Sequence, residues 1–320
     1  MDQKKLSLLP FVDLYICLEG SAQPHYRAQT KGLGKHPDIA VPPEYALDLL
    51  RLTEYMRAHL SEDWAMLDYE GMRLRAVFVN TANRQKWVAL RRVKDLPPAL
   101  TSLGFPTPLI AHLQDLGKRD GLILVCGATG QGKTTTCCSL ILDFMKNYGG
   151  VAFTIEDPVE YNLAGQHGES GYCFQVEVRE DEEWAEMLRR SLRCHPRYIF
   201  IGEVCTPDVA NQLLRAATSG HTVIATVHAG SMQEGLEGLL QLAEQKIGQR
   251  AEQLLAAGLS AVIHQSLGQF GLSSRFLIVG QTGQSAAIRG LIRDNKIGQL
   301  NTIADQQQAQ LIQGTSRVPA

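Results

Sequence analysis

The run Gly127-Ala128-Thr129-Gly130-Gln131-Gly132-Lys133-Thr134 constrains this chain more than any other feature. It follows the apolar stretch 122–126 and precedes a segment in which Cys137, Leu140, Ile141, Phe144 and Met145 fall on one helical face. Strand, glycine-rich turn and helix, in that order, build a phosphate cradle. The glycines let backbone N–H groups converge on phosphates without Cβ obstruction, and the helix N-terminus adds partial positive charge. Lys133 supplies a cation to β/γ-phosphates, and the Thr134 hydroxyl is a ligand for Mg²⁺. Thr135 ends the run. A chance glycine-rich turn would not also carry the lysine, the hydroxyl and both flanks.

Three further apolar runs, 151–155, 198–201 and 223–226, are short and nearly continuous, as strands buried on both faces are. Between them lie helical patterns such as Trp184, Met187, Leu188 and Leu192. This alternation predicts an α/β domain with a parallel sheet flanked by helices. After Ser231 the pattern is mostly helical, with a strand expected at 276–279. The Gln-rich end, 306–313, reads as a frayed helix or a tail.

Ahead of the cradle the texture differs. A strand is expected at 13–17, a Gly/Pro-rich loop at 20–43 and a helix at 45–60. Strands at 74–79 and 87–93 follow, joined by a turn around Thr81–Asn83. Together these read as a small α+β domain. Pro97, Pro98, Gly104, Pro106 and Pro108 then mark a linker, because prolines lack an N–H and break regular structure. The expected organisation is a domain at 1–95, a linker at 96–116 and the phosphate-binding domain at 117–320.

Composition limits the function. With 320 residues, 44% apolar and 20% charged, the chain has material for about two globular domains. A net charge of −2 argues against a protein that coats nucleic acid. Pro10 and Asp13 interrupt the apolar stretch near the amino terminus, which does not read as a signal peptide, and no apolar run reaches the ~20 residues that span a bilayer. The seven cysteines lack metal-ligand spacing, in keeping with a reducing cytoplasm.

Three other groups carry chemistry. The apolar run 198–201 leads into Gly202-Glu203, a carboxylate beyond a strand's carboxyl end, suited to the Mg²⁺ shell or to orienting water. Glu156 and Asp157 follow the run 151–155, and Pro158 stops that strand, so a carboxylate here can accept a proton from attacking water. His221 and His228 flank the run 223–226. Either is suited to sensing a γ-phosphate, although a single histidine is as readily structural.

In this order and spacing the groups resemble the secretion-ATPase superfamily, which powers type II secretion, type IV pili and type IV secretion. The cradle matches G-x-T-G-x-G-K-[ST]-T-T, Thr154–Tyr161 looks like the Asp box, Ile201–Glu203 like Walker B, and Gly220–His228 like the His box. Ala287–Asp294 is similar to the A-I-R-N-L-I-R-E motif of pilus-retraction members. The resemblance implies a RecA-like ATPase domain preceded by a small PAS-like domain, assembled as a homo-hexamer and using ATP and Mg²⁺. It implies Glu156 as base and Glu203 for Mg²⁺ or water, roles the sequence leaves interchangeable. It also implies an arginine from the amino-terminal domain at the γ-phosphate. Arg84, Arg91 and Arg92 are the candidates, with Arg91 favoured.

Cys194-His195-Pro196-Arg197 and Val204-Cys205-Thr206 depart from pilus-retraction members, and Ala229-Gly230-Ser231 is closer to type IV secretion ATPases. The expected role is therefore a motor for pilus retraction or for a type IV secretion or conjugation apparatus. It would sit peripherally at the cytoplasmic face of the inner membrane on a platform protein, without direct nucleic-acid contact. A RecA-like nucleic-acid translocase is the alternative.

Overall fold

The structure, a computed structural model, describes residues 3–20, 22–28, 38–59, 64–280 and 283–312. Leu60, Gln313 and the middle of the expected loop at 20–43 lie outside these residues. The chain divides into two compact units, Met1–Asp95 and Leu96–Ala320.

Among its described residues the first unit is a six-stranded antiparallel sheet with one α-helix. Its strands are β1 (Phe11–Cys17), β2 (His25–Ala28), β3 (Asp38–Ala40), β4 (Trp64–Tyr69), β5 (Met72–Asn80) and β6 (Lys86–Arg92). They pair in the order β3-β2-β1-β6-β5-β4, and α1 (Ala46–His59) packs Leu52 and Met56 onto Leu14, Leu74 and Leu90. Strand alternation makes β1, β5 and β6 legible. β2 and β3 fall inside the stretch expected as loop, where short length and flanking prolines hide their period.

The second unit holds an eight-stranded sheet. In chain order its elements are α2 (Thr107–Asp115), β7 (Gly121–Gly127), α3 (Lys133–Tyr148), β8 (Gly150–Glu156), β9 (Gly165–His167), β10 (Gly171–Glu177), α4 (Asp181–Leu192) and β11 (Tyr198–Ile201). There follow α5 (Pro207–Ala217), β12 (Thr222–His228), α6 (Met232–Ile247), α7 (Arg250–Gly258), β13 (Leu259–Gly268), β14 (Gly271–Ile278), α8 (Gly283–Arg293) and α9 (Leu300–Ile312). The sheet order is β14-β13-β7-β12-β11-β8-β10-β9. β13, β7, β12, β11, β8 and β10 run parallel, and antiparallel β14 and β9 close the edges.

β7 is buried along its whole length because helices cover both faces. Leu122, Leu124 and Cys126 enter one core, with α5 and α6, while Ile123 and Val125 enter the other, with α2 and α3. This two-sided burial produces the continuous apolar runs of the central strands.

The stretch 96–116, expected as a linker, is folded into the second unit. Leu100, Phe105, Leu109 and Leu113 are buried in its core, and Pro98 O accepts a hydrogen bond from Ser139 Oγ at 2.7 Å. The prolines forgo backbone hydrogen bonds, but the apolar residues between them still bury, and Pro108 opens α2 where a missing N–H costs nothing. The Gln-rich end is helical, and Gln307 grips β14: its side chain accepts from Ile278 N and donates to Ile278 O, both at 2.9 Å.

Candidate active site

Parallel strands bring their carboxyl ends to one rim, which is where ligands bind in open α/β sheets. Gly127 at the end of β7 pairs with His228 at the end of β12, and β8 ends at Glu156 on the same rim. Beyond β11, Gly202 N donates to Ile155 O at 2.8 Å and Thr226 Oγ1 donates to Gly202 O, so Glu203 projects from this rim and is exposed.

The cradle itself, Gly127 to Thr135, turns from β7 into α3. Gly132 caps α3 at φ +79°, a left-handed conformation open to glycine. Gly127 lies against β13: a Cβ there would come 2.6 Å from Gln265 O. Gln265 Nε2 donates to Gln131 O at 2.7 Å, and Leu267 N donates to Gln131 Oε1. Lys133 Nζ donates to Gly127 O at 2.8 Å and Ala128 O at 3.1 Å, across the loop its charge serves. On the other side, Thr129 Oγ1 meets His228 Nδ1 at 3.3 Å. The loop is thus held from both neighbouring strands.

Glu156 is 1% exposed. Burial pushes its carboxyl up to about 7, eased by Gln175, whose Nε2 donates to Oε1 at 2.8 Å, and by the Thr154 hydroxyl. Its Oε2 is buried and accepts no hydrogen bond. A carboxyl titrating near neutrality at a strand end is suited to taking a proton from water.

His221 does not join this group. It immediately precedes β12 and bonds Pro196 O through Nδ1 at 2.7 Å, while its carbonyl accepts from Gly121 N at the start of β7. Seven strand residues separate it from the P-loop end of the sheet, roughly 20 Å at ~3.3 Å per residue. The expectation that both histidines serve the nucleotide is corrected for His221 within this chain, because the two sit at opposite ends of one strand.

Arg91 lies in the first unit. Its Nε donates to Asp13 Oδ1 at 2.7 Å and its Nη2 to Oδ2 at 3.3 Å, with Arg27 on the same carboxylate. Arg92 instead donates to Ser7 O, and Arg84 sits in the β5–β6 turn with φ +62°. Sequence reasoning misses Gln175 and Gln265. Both stand on strands (β10 and β13) whose apolar runs, 172–174 and 261–263, are only three residues long and stop short of them.

A glycine-rich cradle at the carboxyl ends of a RecA-like sheet, with a buried carboxylate and a strand-end histidine beside it, defines a P-loop nucleotide hydrolase. The family model described as "Type II/IV secretion system protein" matches residues 65–295. The chain is 31% identical over 302 residues to the uncharacterized protein YggR of Escherichia coli, covering 90% of this chain and 86% of that protein. It is 35% identical over 191 residues to the type IV pilus retraction ATPase PilT of Pseudomonas aeruginosa, covering 56% of this chain and 52% of that protein. The solved structure of the pilus retraction motor PilT with bound ADP matches with a TM-score of 0.72 at 29% identity, covering 93% of this chain and 87% of that one. The chain belongs to the type II/IV secretion system protein family. As its ATPase relatives imply, it is an ATP hydrolase.

Proposed function

We propose that this chain is the subunit of a hexameric, Mg²⁺-dependent ATPase ring that drives type IV pilus retraction or a type IV secretion or conjugation apparatus. The observation that carries it is the P-loop held between β12 and β13 with buried Glu156 on the same rim. The PilT relatives, one a pilus retraction ATPase and one an ADP-bound motor, support the apparatus.

In this mechanism the backbone N–H groups of 127–135 and the Lys133 ammonium cradle the β/γ-phosphates. Thr134 and exposed Glu203 offer the oxygen donors a hard cation takes, and they are the residues that would hold Mg²⁺. The ion, when bound, neutralises charge on the phosphate oxygens. Glu156 accepts the proton of the attacking water, a contribution of about 10²–10⁴-fold for a positioned base. His228 senses the γ-phosphate from the P-loop's flank. Arg91 acts as the arginine that stabilises charge on the transferred phosphoryl group, released from Asp13 or carried with it.

No helix among the described residues is long and apolar enough to cross a membrane. Placement at the cytoplasmic face of the inner membrane would come through a platform protein, with no direct contact to nucleic acid.

The test is steady-state ATP hydrolysis with and without Mg²⁺ by wild type and Glu156→Gln, with light scattering on the same samples. Mg²⁺-dependent turnover by a hexamer, lost in the variant, is expected. Turnover that requires DNA or RNA would replace the secretion motor with a translocase.

A further inference from the structure

Gln175 touches Glu156 and leads back from it to the P-loop helix. It stands on β10, which pairs in parallel with β8, so that Gln175 faces Thr154 and its side chain reaches the end of β8. All of its amide is engaged. Nε2 donates to Glu156 Oε1 and to Tyr161 O, each at 2.8 Å, and Oε1 accepts from Leu163 N at 3.1 Å. Turning the amide over would set its oxygen against a carboxylate and a carbonyl, and its NH₂ against a donor, so the network dictates one orientation. Tyr161 continues the path: its hydroxyl meets Thr135 Oγ1 at 3.1 Å, in the first turn of α3 and one residue from Thr134.

We propose that Gln175 is a positioning residue for hydrolysis, holding the Glu156 carboxylate at a set orientation relative to the P-loop helix through Tyr161. The proposal rests on Glu156 being the base. Its geometry does one specific thing: Oε1 is occupied by the amide, which leaves Oε2, buried and without a hydrogen bond, as the oxygen that receives the proton. A base free to rotate would present either oxygen, and loss of a near-attack orientation costs rate rather than affinity. Movement of the α3 N-terminus around a bound nucleotide is passed along Thr135, Tyr161 and Gln175 to the same carboxylate. Gln175 therefore acts through Glu156 and does not itself touch substrate.

The experiment measures kcat, KM for ATP and ADP affinity for wild type, Gln175→Met, Glu156→Gln and the double variant, with single-turnover rates for the slow ones. Gln175→Met is expected to lower kcat about 10- to 100-fold with KM within about twofold. In the Glu156→Gln background it should cost nothing further, because its effect passes through the base. Should Gln175→Met fail to fold, Gln175→Leu removes the donor without adding a charge beside Glu156, and the same pattern is expected. Wild-type kcat in the Gln175 variants, with Glu156→Gln inactive, would sink the positioning role alone. An equal loss in both backgrounds would assign Gln175 to structure and overturn the proposal. Full turnover by Glu156→Gln would overturn Glu156 as base, and the proposal with it.

Discussion

The Thr129 hydroxyl lies 3.3 Å from His228 Nδ1, joining the P-loop to the end of β12 across 99 residues of sequence. The contact puts the histidine beside the loop that holds the phosphates, so a change in one is felt by the other. His228→Ala is expected to lower kcat about 10- to 100-fold while ADP binding stays within about threefold. His228→Gln, which can still meet the Thr129 hydroxyl, should lose less. Titration with a fluorescent ADP analogue alongside turnover separates the two parameters. Lost affinity with unchanged kcat would make the histidine a prop for the loop.

Glu156 links activity and stability to pH. Its carboxyl, raised to about 7 by burial, is protonated in the folded chain at pH values where the unfolded chain is ionised. Between the ordinary carboxylate range and pH 7 the folded state binds more protons, so its stability falls as pH rises through that window. Above pH 7 the buried charge costs about 3 kcal/mol. Glu156→Gln should therefore melt higher than wild type at pH 8.5 and nearly alike at pH 5. In the nucleotide-free protein, calorimetry at the two pH values checks this. Turnover, which needs the ionised base, should fall on the acid side of neutrality.

Gly127 has no room for a side chain. The Cβ of Gly127→Ala would come 2.6 Å from Gln265 O, a backbone atom of β13. Either the loop or the strand must move, and overpacking of this kind costs about 1–3 kcal/mol. The expected result is a melting temperature lower by several degrees and ATP affinity reduced at least tenfold. Unchanged melting and affinity would show that the loop shifts freely, against a grip from both neighbouring strands.

Gln307 is 1% exposed and satisfies both the N–H and the carbonyl of Ile278 on the edge strand β14. Gln307→Leu keeps the volume and removes both bonds, leaving two buried backbone groups unpaired. A loss of about 2–4 kcal/mol is expected, at about 1–3 kcal/mol for each unsatisfied group. Chemical denaturation measures it, and an m-value equal to wild type's would keep the effect in the folded state.

Much of the second unit is legible in the order of its residues. The cradle's residue types demand a strand before it and a helix after it, and two-sided burial turns each central strand into an apolar run. β7, β8, β11 and β12 can be read for that reason, and with them Glu156 at the end of β8, Glu203 beyond β11, and Lys133 and Thr134 at the start of α3. The stretch 96–116 misleads because proline marks the loss of a hydrogen bond and says nothing of burial. Leu100, Phe105 and Leu109 still pack in the core.

Local chemistry and period were thus set by the sequence alone: the P-loop, the strand-end carboxylates and the alternation of strand and helix. Tertiary structure decided everything that depends on which strands lie side by side. The order β13-β7-β12-β11-β8-β10 is what brings Gln265 and His228 to opposite sides of the P-loop and sets Gln175 against Glu156. Periodicity records whether a residue faces a core. Neighbours across 19 or 134 residues are fixed only when strands pair.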